Sequence, residues 1–360
     1  MHLVCQFLRF ALRRSFKKLT KRVDSSGLNS WMWVRFPPPP PQTIGILKMS
    51  VISQSPDQIE SLSTEFSSSQ FKTLPIGIFD SGVGGLTVYK ALHYFLPNER
   101  FVYLGDTARV PYGTKSLSTV ERYAIENALF LASRGIKLLV VACNTASALA
   151  LPKIREKIGL ETVGVIGPGA RKALELTANR DKPRIAVIAT EATVQSNAYL
   201  DAIRRVSKRA EVVQTACPLF VPLAEEGWAE EEETFLIAKK YLKEIVAFKP
   251  DVLILGCTHY PILKNVIQKV VGESVKLIDS GEACAEEVKE ILNKKNLAGP
   301  NSLNKERRIC DDLDHFYVTD AAKRFAKVAE RFLGVPPIKL EEVEIFGNDK
   351  LEAKHGLQKG

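Results

Sequence analysis

The chain has 360 residues, of which 45% are hydrophobic and 25% charged; that balance suits a globular protein of about two domains and excludes fibrous, collagenous and wholly disordered classes. Its net charge of +9 would suit a phosphate-binding surface, but residues 1–49 hold nine Lys or Arg against the single acid Asp24. That segment carries +8, the remaining residues carry +1, and the charge argument for a nucleic-acid partner disappears.

Residues 1–73 read as a basic, Pro- and Ser-rich extension. They contain all three methionines (Met1, Met32, Met49) and the run Pro37 to Pro41, which is extended and lacks internal hydrogen bonds. Three origins compete: an Arg-rich transit peptide, a disordered tether, or a mis-called start. The third is suggested by "WVRFP", which back-translates through GTTCGATTCC, the arm sequence of a transfer RNA gene, and would place the true start at Met49. Residues 50–73 are polar and read as a flexible lead-in. No segment approaches the roughly 18 apolar residues of a membrane span. The six cysteines lack CxxC spacing, so free thiols in a reducing cytoplasm are expected.

From Pro75 onward, short β-branched runs alternate with amphipathic stretches. Strands are expected at 76–80, 100–106, 137–143 and 161–166, and helices at 87–95, 118–133 and 146–158. After Pro168 the alternation repeats, with strands at 184–190, 210–216, 250–257 and 275–279 and helices at 194–206 and 230–248. A last helix pair, 282–294 and 321–332, is expected to pack back on the first unit. Such alternation implies an α/β fold of two similar, doubly wound parallel-sheet domains. The expected boundaries are 74–167 plus 277–334 for the first, 168–276 for the second, and 335–360 for a C-terminal tail.

In parallel sheets, ligands gather at the carboxyl ends of the strands. Five motifs fall there: Asp80-Ser81-Gly82 with Gly84-Gly85, Asp106-Thr107 leading to Pro111-Tyr112-Gly113, Cys143-Asn144-Thr145, Thr190 with Thr193, and Cys257-Thr258-His259. Each has a bland reading. "DSGVGG" lacks both the GxGxxG order and the GK[ST] ending, so a tight turn with Asp80 as a cap competes with phosphate binding. Cys217, Cys284 and Cys310 read as small hydrophobes. Cys143 and Cys257 differ, because each ends an apolar run and is followed at once by polar hydrogen-bonding residues that a core position disfavours. His259 lacks further ligands at a recognisable spacing, so no metal is expected.

The chain from about Leu74 to Gly334 resembles the glutamate racemases of the aspartate/glutamate racemase family. The resemblance is carried by "PIGIFDSGVGGLTV", "YLGDTARVPYGTKS", "VVACNTASA", "GVIGPGA", "TVQSNAY", "ACPLFVPLAEEG", "LILGCTHYPIL" and "HFYVTDA", in that order. It implies a cofactor-independent isomerase that interconverts L- and D-glutamate for peptidoglycan synthesis, with pseudo-twofold symmetry, an active site between the halves and a homodimer. By position, Cys143 and Cys257 match the catalytic thiols, and Asp80, Glu225 and His259 the polar groups that assist them. Glu226 adjoins Glu225 and competes for that alignment. Asp80 and Ser81, Tyr112 and Gly113, Asn144 and Thr145, and Thr258 and His259 match substrate-binding pairs, with Thr190 and Thr193 as further contacts.

Two thiols suit the implied chemistry. Inverting an α-carbon without a cofactor requires removing a proton from one face and returning one to the other, so one base and one acid must oppose each other. With an ordinary pKa of ~8.5, cysteine supplies either form near neutral pH. By the resemblance, the thiol matching Cys143 deprotonates D-glutamate and the one matching Cys257 deprotonates L-glutamate. Three other classes stay open: an aspartate racemase, where the second thiol is usually followed by Thr-Glu rather than Thr258-His259; a cysteine hydrolase, which needs one nucleophile; and an amino-acid-binding protein that needs neither thiol.

Overall fold

Apolar runs too short for helices and bounded by Gly or polar turns become strands, and every strand pair among the described residues is parallel. The structure, a computed structural model, describes residues 71–300 and 307–345. The readings of a transit peptide, a tether or a start at Met49 concern residues outside those described.

The first sheet holds β1 (Ile76–Asp80), β2 (Phe101–Gly105), β3 (Leu138–Val141), β4 (Thr162–Gly164), β9 (His315–Val318) and β10 (Leu340–Glu342). The second holds β5 (Arg184–Ala189), β6 (Glu211–Ala216), β7 (Val252–Gly256) and β8 (Lys276–Asp279). Their orders are β10-β9-β2-β1-β3-β4 and β6-β5-β7-β8. Stripped of β9 and β10, the first sheet repeats the second, so β3 and β7 occupy equivalent places. The segments carrying Cys143 and Cys257 follow those two strands.

Every residue of β1, β2, β3 and β7 is buried, as expected where helices cover both faces of a parallel sheet. Alternate residues serve opposite faces. Ile76, Ile78, Tyr103 and Val140 join a cluster with Leu92 of α1 (Leu86–Phe95), Val288 of α12 (Ser280–Lys294) and Phe325 of α13 (Ala322–Leu333). Phe79, Leu104 and Val141 pack instead with Ala128 of α2 (Leu117–Ser133) and with Cys143 and Ala146 around α3 (Asn144–Leu149). The first cluster continues into the second sheet through Ile188 and Leu255. The last helix pair does pack back, α12 against α1 and α13 against α1.

Several details depart from the sequence reading, each for a local reason. The helix expected over 146–158 divides at Ala150 into α3 and α4 (Leu151–Ile158), where Pro152 lies in the first turn and needs no backbone donor. The helix over 194–206 divides at Asn197, whose φ of 55° is left-handed, into α6 (Glu191–Gln195) and α7 (Ala198–Val206). The domain boundary set at 167/168 falls inside α5 (Ile166–Leu176), because Pro168 occupies a first-turn position that a proline tolerates. The boundary at 277 falls inside β8, which pairs with β7, and residues 340–342 of the expected tail pair with β9.

The end of the polar lead-in is also held. Lys137 is 1% and Glu99 4% exposed, and their side chains pair at 2.5 Å. Lys137 Nζ also donates to the carbonyls of Lys72 (2.7 Å) and Leu297 (2.9 Å), and Glu99 Oε1 accepts from Gly299 N–H. Both residues precede their strands, β3 and β2, so this ion pair sits at the opposite end of the sheet from Asp80 and Cys143.

Candidate active site

Strand ends bring the motifs together. Asp80 is the last residue of β1 and its Oδ2 accepts from Gly82 N–H at 3.0 Å, which bends the chain into the glycine turn. Cys143 caps α3, with Ala146 N–H reaching its Sγ at 3.5 Å, and Ser81 Oγ lies 3.6 Å from the same sulfur. Thr190 caps α6 in the same manner after β5. Cys257, Thr258 and His259 follow β7 directly.

Contacts between the two sheets' strand ends define the candidate site. Thr258 Oγ1 donates to Asp80 Oδ1 at 3.5 Å, and Thr87 Oγ1 donates to the Thr258 carbonyl at 2.8 Å. Thr145 Oγ1 lies 3.0 Å from Thr190 Oγ1 and 3.3 Å from Thr193 Oγ1. Tyr199 donates to Asn144 Oδ1 at 2.7 Å. A Cβ at Gly84 would stand 2.4 Å from both the His259 ring and Thr258 Oγ1, so only glycine admits that approach.

The two thiols have unlike surroundings. Burial, and then the Asp80 carboxylate, push the Cys143 thiol up to about 12; Ala146 N–H and Ser81 act against this, and the charge of Cys257 adds to it. Cys143 therefore rests protonated. Beside Cys257 the Nδ1 of His259 lies 3.8 Å from Sγ, and its Nε2 lies 3.1 Å from Glu225 Oε1. Burial alone would lower His259, but its bonds with Cys257 and Glu225 outweigh that and raise it to about 10. Burial favours protonation of Glu225, yet the imidazole and Arg324 hold its carboxyl below the ordinary value. One thiol thus faces hydroxyl and amide donors, the other an imidazolium. Burial raises the Asp80 carboxyl, with His259 and backbone N–H groups opposing.

Among the expected residues, Asp80, Ser81, Cys143, Asn144, Thr145, Glu225, Cys257, Thr258 and His259 are joined by these contacts. Glu225, not Glu226, reaches His259; Glu226 pairs with the exposed Arg324. The Tyr112 hydroxyl is engaged within the protein, donating to Asp106 and accepting from Asn127 Nδ2 at 3.0 Å. Its neighbour Gly113 lies against Thr190. Gly84, named with the Asp80 motif, does approach the second thiol's turn. Missed in the sequence were Thr87, Tyr199 and Phe332, whose ring meets His259 edge-on at 5.9 Å. All five cysteines among the described residues are free, and no group of three or more metal-ligating side chains occurs among them. No described helix is long and apolar enough to cross a membrane.

The model of the Asp/Glu/hydantoin racemase family matches residues 76–288. The chain belongs to that family. Among curated relatives of this racemase family, glutamate racemase of Geobacter metallireducens is 52% identical over 259 residues, 72% of this chain and 92% of that protein. Glutamate racemase of Chlorobaculum parvum is 47% identical over 76% of this chain and 96% of its own. Among solved racemase structures, that of glutamate racemase isoform RacE1 from Bacillus anthracis superposes with a TM-score of 0.70 at 37% identity, covering 76% and 98% of the two chains. The Francisella tularensis glutamate racemase, solved with D-glutamate, gives 0.68 at 38% identity and covers 76% and 99%.

Proposed function

We propose that this chain is a cofactor-independent glutamate racemase, interconverting L- and D-glutamate with Cys143 and Cys257 as opposed acid and base. The observation that carries the reading is the 52% identity to a glutamate racemase over 92% of its length. The equivalent placement of the two thiol segments after β3 and β7 supports the two-base part. L-glutamate loses its α-proton to Cys257 and receives one from Cys143; D-glutamate follows the reverse course. Asn144, Thr145, Thr258 and nearby backbone amides offset the charge that builds on the α-carboxylate as the carbanion forms. Asp80, Glu225 and His259 assist the thiols, and Ser81, Tyr112 and Gly113 complete the binding surface. A homodimer, a cytoplasmic location and a role in supplying D-glutamate for peptidoglycan belong to the same reading.

Circular dichroism of the purified chain with L- and D-glutamate and L- and D-aspartate tests it. Loss of optical activity from both glutamate enantiomers, with aspartate unchanged, is the expected result. Racemisation of aspartate would reassign the substrate, and no turnover of either amino acid would leave only a binding role.

The Glu225–His259 pair sets a pH dependence. His259 is held up partly by Glu225, so Glu225→Gln is expected to lower the imidazole pKa and move the basic limb of the kcat/KM profile to lower pH. Stability follows the same pair. A histidine raised from 6.5 to about 10 contributes fully below 6.5 and loses that contribution as pH rises through 10. The lowered carboxyl of Glu225 contributes above its ordinary value of 4.5 and loses that as pH falls. The difference in Tm between wild type and Glu225→Gln is therefore expected to be greatest between pH 4.5 and 6.5 and to shrink toward 10. Melting curves across that range check it.

A further inference from the structure

Tyr199 is fully buried on α7, yet it touches both thiol-bearing turns. Its hydroxyl donates to Asn144 Oδ1, next to Cys143, at 2.7 Å. Its ring lies against Gly256, the residue before Cys257, so closely that a Cβ at Gly256 would stand 2.9 Å from Cε2. On its other edge, a Cβ at Gly169 would stand 3.4 Å from Cε1. The ring is thus slotted between two glycines, which holds its hydroxyl within reach of Asn144 Oδ1 and of the Ser280 side chain. Burial pushes the phenol well above its ordinary range, so it stays a neutral donor.

The consequence falls on Asn144. Its side chain is 2% exposed, and with Oδ1 taken by Tyr199 its Nδ2 has no hydrogen-bond partner among the described residues. Buried amide donors are costly to leave unmet unless a ligand meets them. A carboxamide free to turn over would present oxygen as often as nitrogen, and oxygen repels a carboxylate.

We propose that Tyr199 is a positioning residue: its hydroxyl fixes the Asn144 carboxamide so that Nδ2 is presented to a carboxylate of the substrate, while its ring keeps the two thiol-bearing turns in register. This rests on the reading of Asn144 as a substrate-binding residue. Tyr199 itself does not touch the substrate.

The test compares wild type, Tyr199→Phe, Asn144→Ala and the double variant, by circular dichroism kinetics with L- and D-glutamate and by thermal melting. Phenylalanine keeps the ring in its slot and removes only the hydroxyl. Loss of one hydrogen bond of this kind is expected to raise KM about tenfold for both enantiomers, with kcat changed less. In the double variant KM should match that of Asn144→Ala, because the hydroxyl acts only through that amide. A merely structural role would lower Tm and leave KM unmoved. An unchanged KM in Tyr199→Phe, with a raised KM in Asn144→Ala, would overturn the positioning role alone. Multiplication of the two effects in the double variant would overturn it equally. An unchanged KM in Asn144→Ala would remove the binding role of Asn144 and the positioning role with it.

Discussion

Replacing either Cys143 or Cys257 by Ala is expected to lower the racemisation rate by at least about 10³-fold, within the range for losing a positioned acid or base. The proton has to leave one face of Cα and return on the other, so the surviving thiol completes half of the reaction. Near Cys143, Ser81 Oγ, 3.6 Å away, is far too weak an acid or base, Ala146 offers only a backbone N–H, and the Asp80 carboxylate that acts on the thiol is itself held by Gly82 N–H and Thr258 Oγ1. At Cys257 the neighbour is His259, at 3.8 Å from Sγ. Its proton is held by Glu225 as well, and its ring is clamped by Phe332, so it is not free to move to the sulfur's place. Circular dichroism, together with deuterium incorporation at Cα in heavy water, measures the outcome. Turnover within tenfold of wild type by either variant would exclude the two-base mechanism. Both variants should melt near wild type, since a thiol-to-methyl change in these pockets removes one atom.

The largest expected effect on stability lies at the other end of the first sheet. Lys137→Met is expected to destabilise the fold by about 3–5 kcal/mol, the typical result of removing one partner of a buried ion pair. Glu99 would be left as a buried carboxylate supported by Gly299 N–H and the charge of Arg100 but without its ion-pair partner, and the carbonyls of Lys72 and Leu297 would lose their donor. Burial already lowers Lys137 and raises Glu99, with each partner opposing the other's shift. The pair itself therefore adds little net stability, whereas either member alone costs much. Combining Lys137→Met with Glu99→Leu should recover a good part of the loss, because both charges then leave the interior. Urea or thermal denaturation of the two variants measures this. KM for glutamate should stay unchanged throughout, since the pair and the thiol turns lie at opposite ends of the strands.

The elements were readable because their causes are local. Runs such as "IGIFD" and "LILGC" are too short for helices and apolar on both faces, so strand and parallel sheet follow from periodicity and length. The matching position of the two cysteine motifs was readable for the same reason. Strands β9 and β10 were not. "HFYV" is four residues long, and Leu340–Glu342 is three, two of them exposed, so pattern alone does not mark them. Proline misled at "IGPGA", where the expected domain boundary at 167/168 falls within what folds as the first turn of α5.

For the site, the amino-acid sequence by itself determined which strand ends carry thiols, hydroxyls and carboxylates, since a motif and the strand before it are neighbours in the chain. Which of those ends meet was decided only by the tertiary structure. Thr258 and Asp80 are 178 residues apart, Tyr199 and Asn144 are 55 apart, and Phe332 comes to His259 from α13, the helix between β9 and β10. Contacts of that range depend on strand order, which apolar runs do not encode, because any buried strand can pair with any other. The choice between Glu225 and Glu226 shows the same limit at the smallest scale. Adjacent carboxylates on one helix point about 100° apart, and only the packing of that helix against the turn after β7 directs one of them to the histidine beside Cys257.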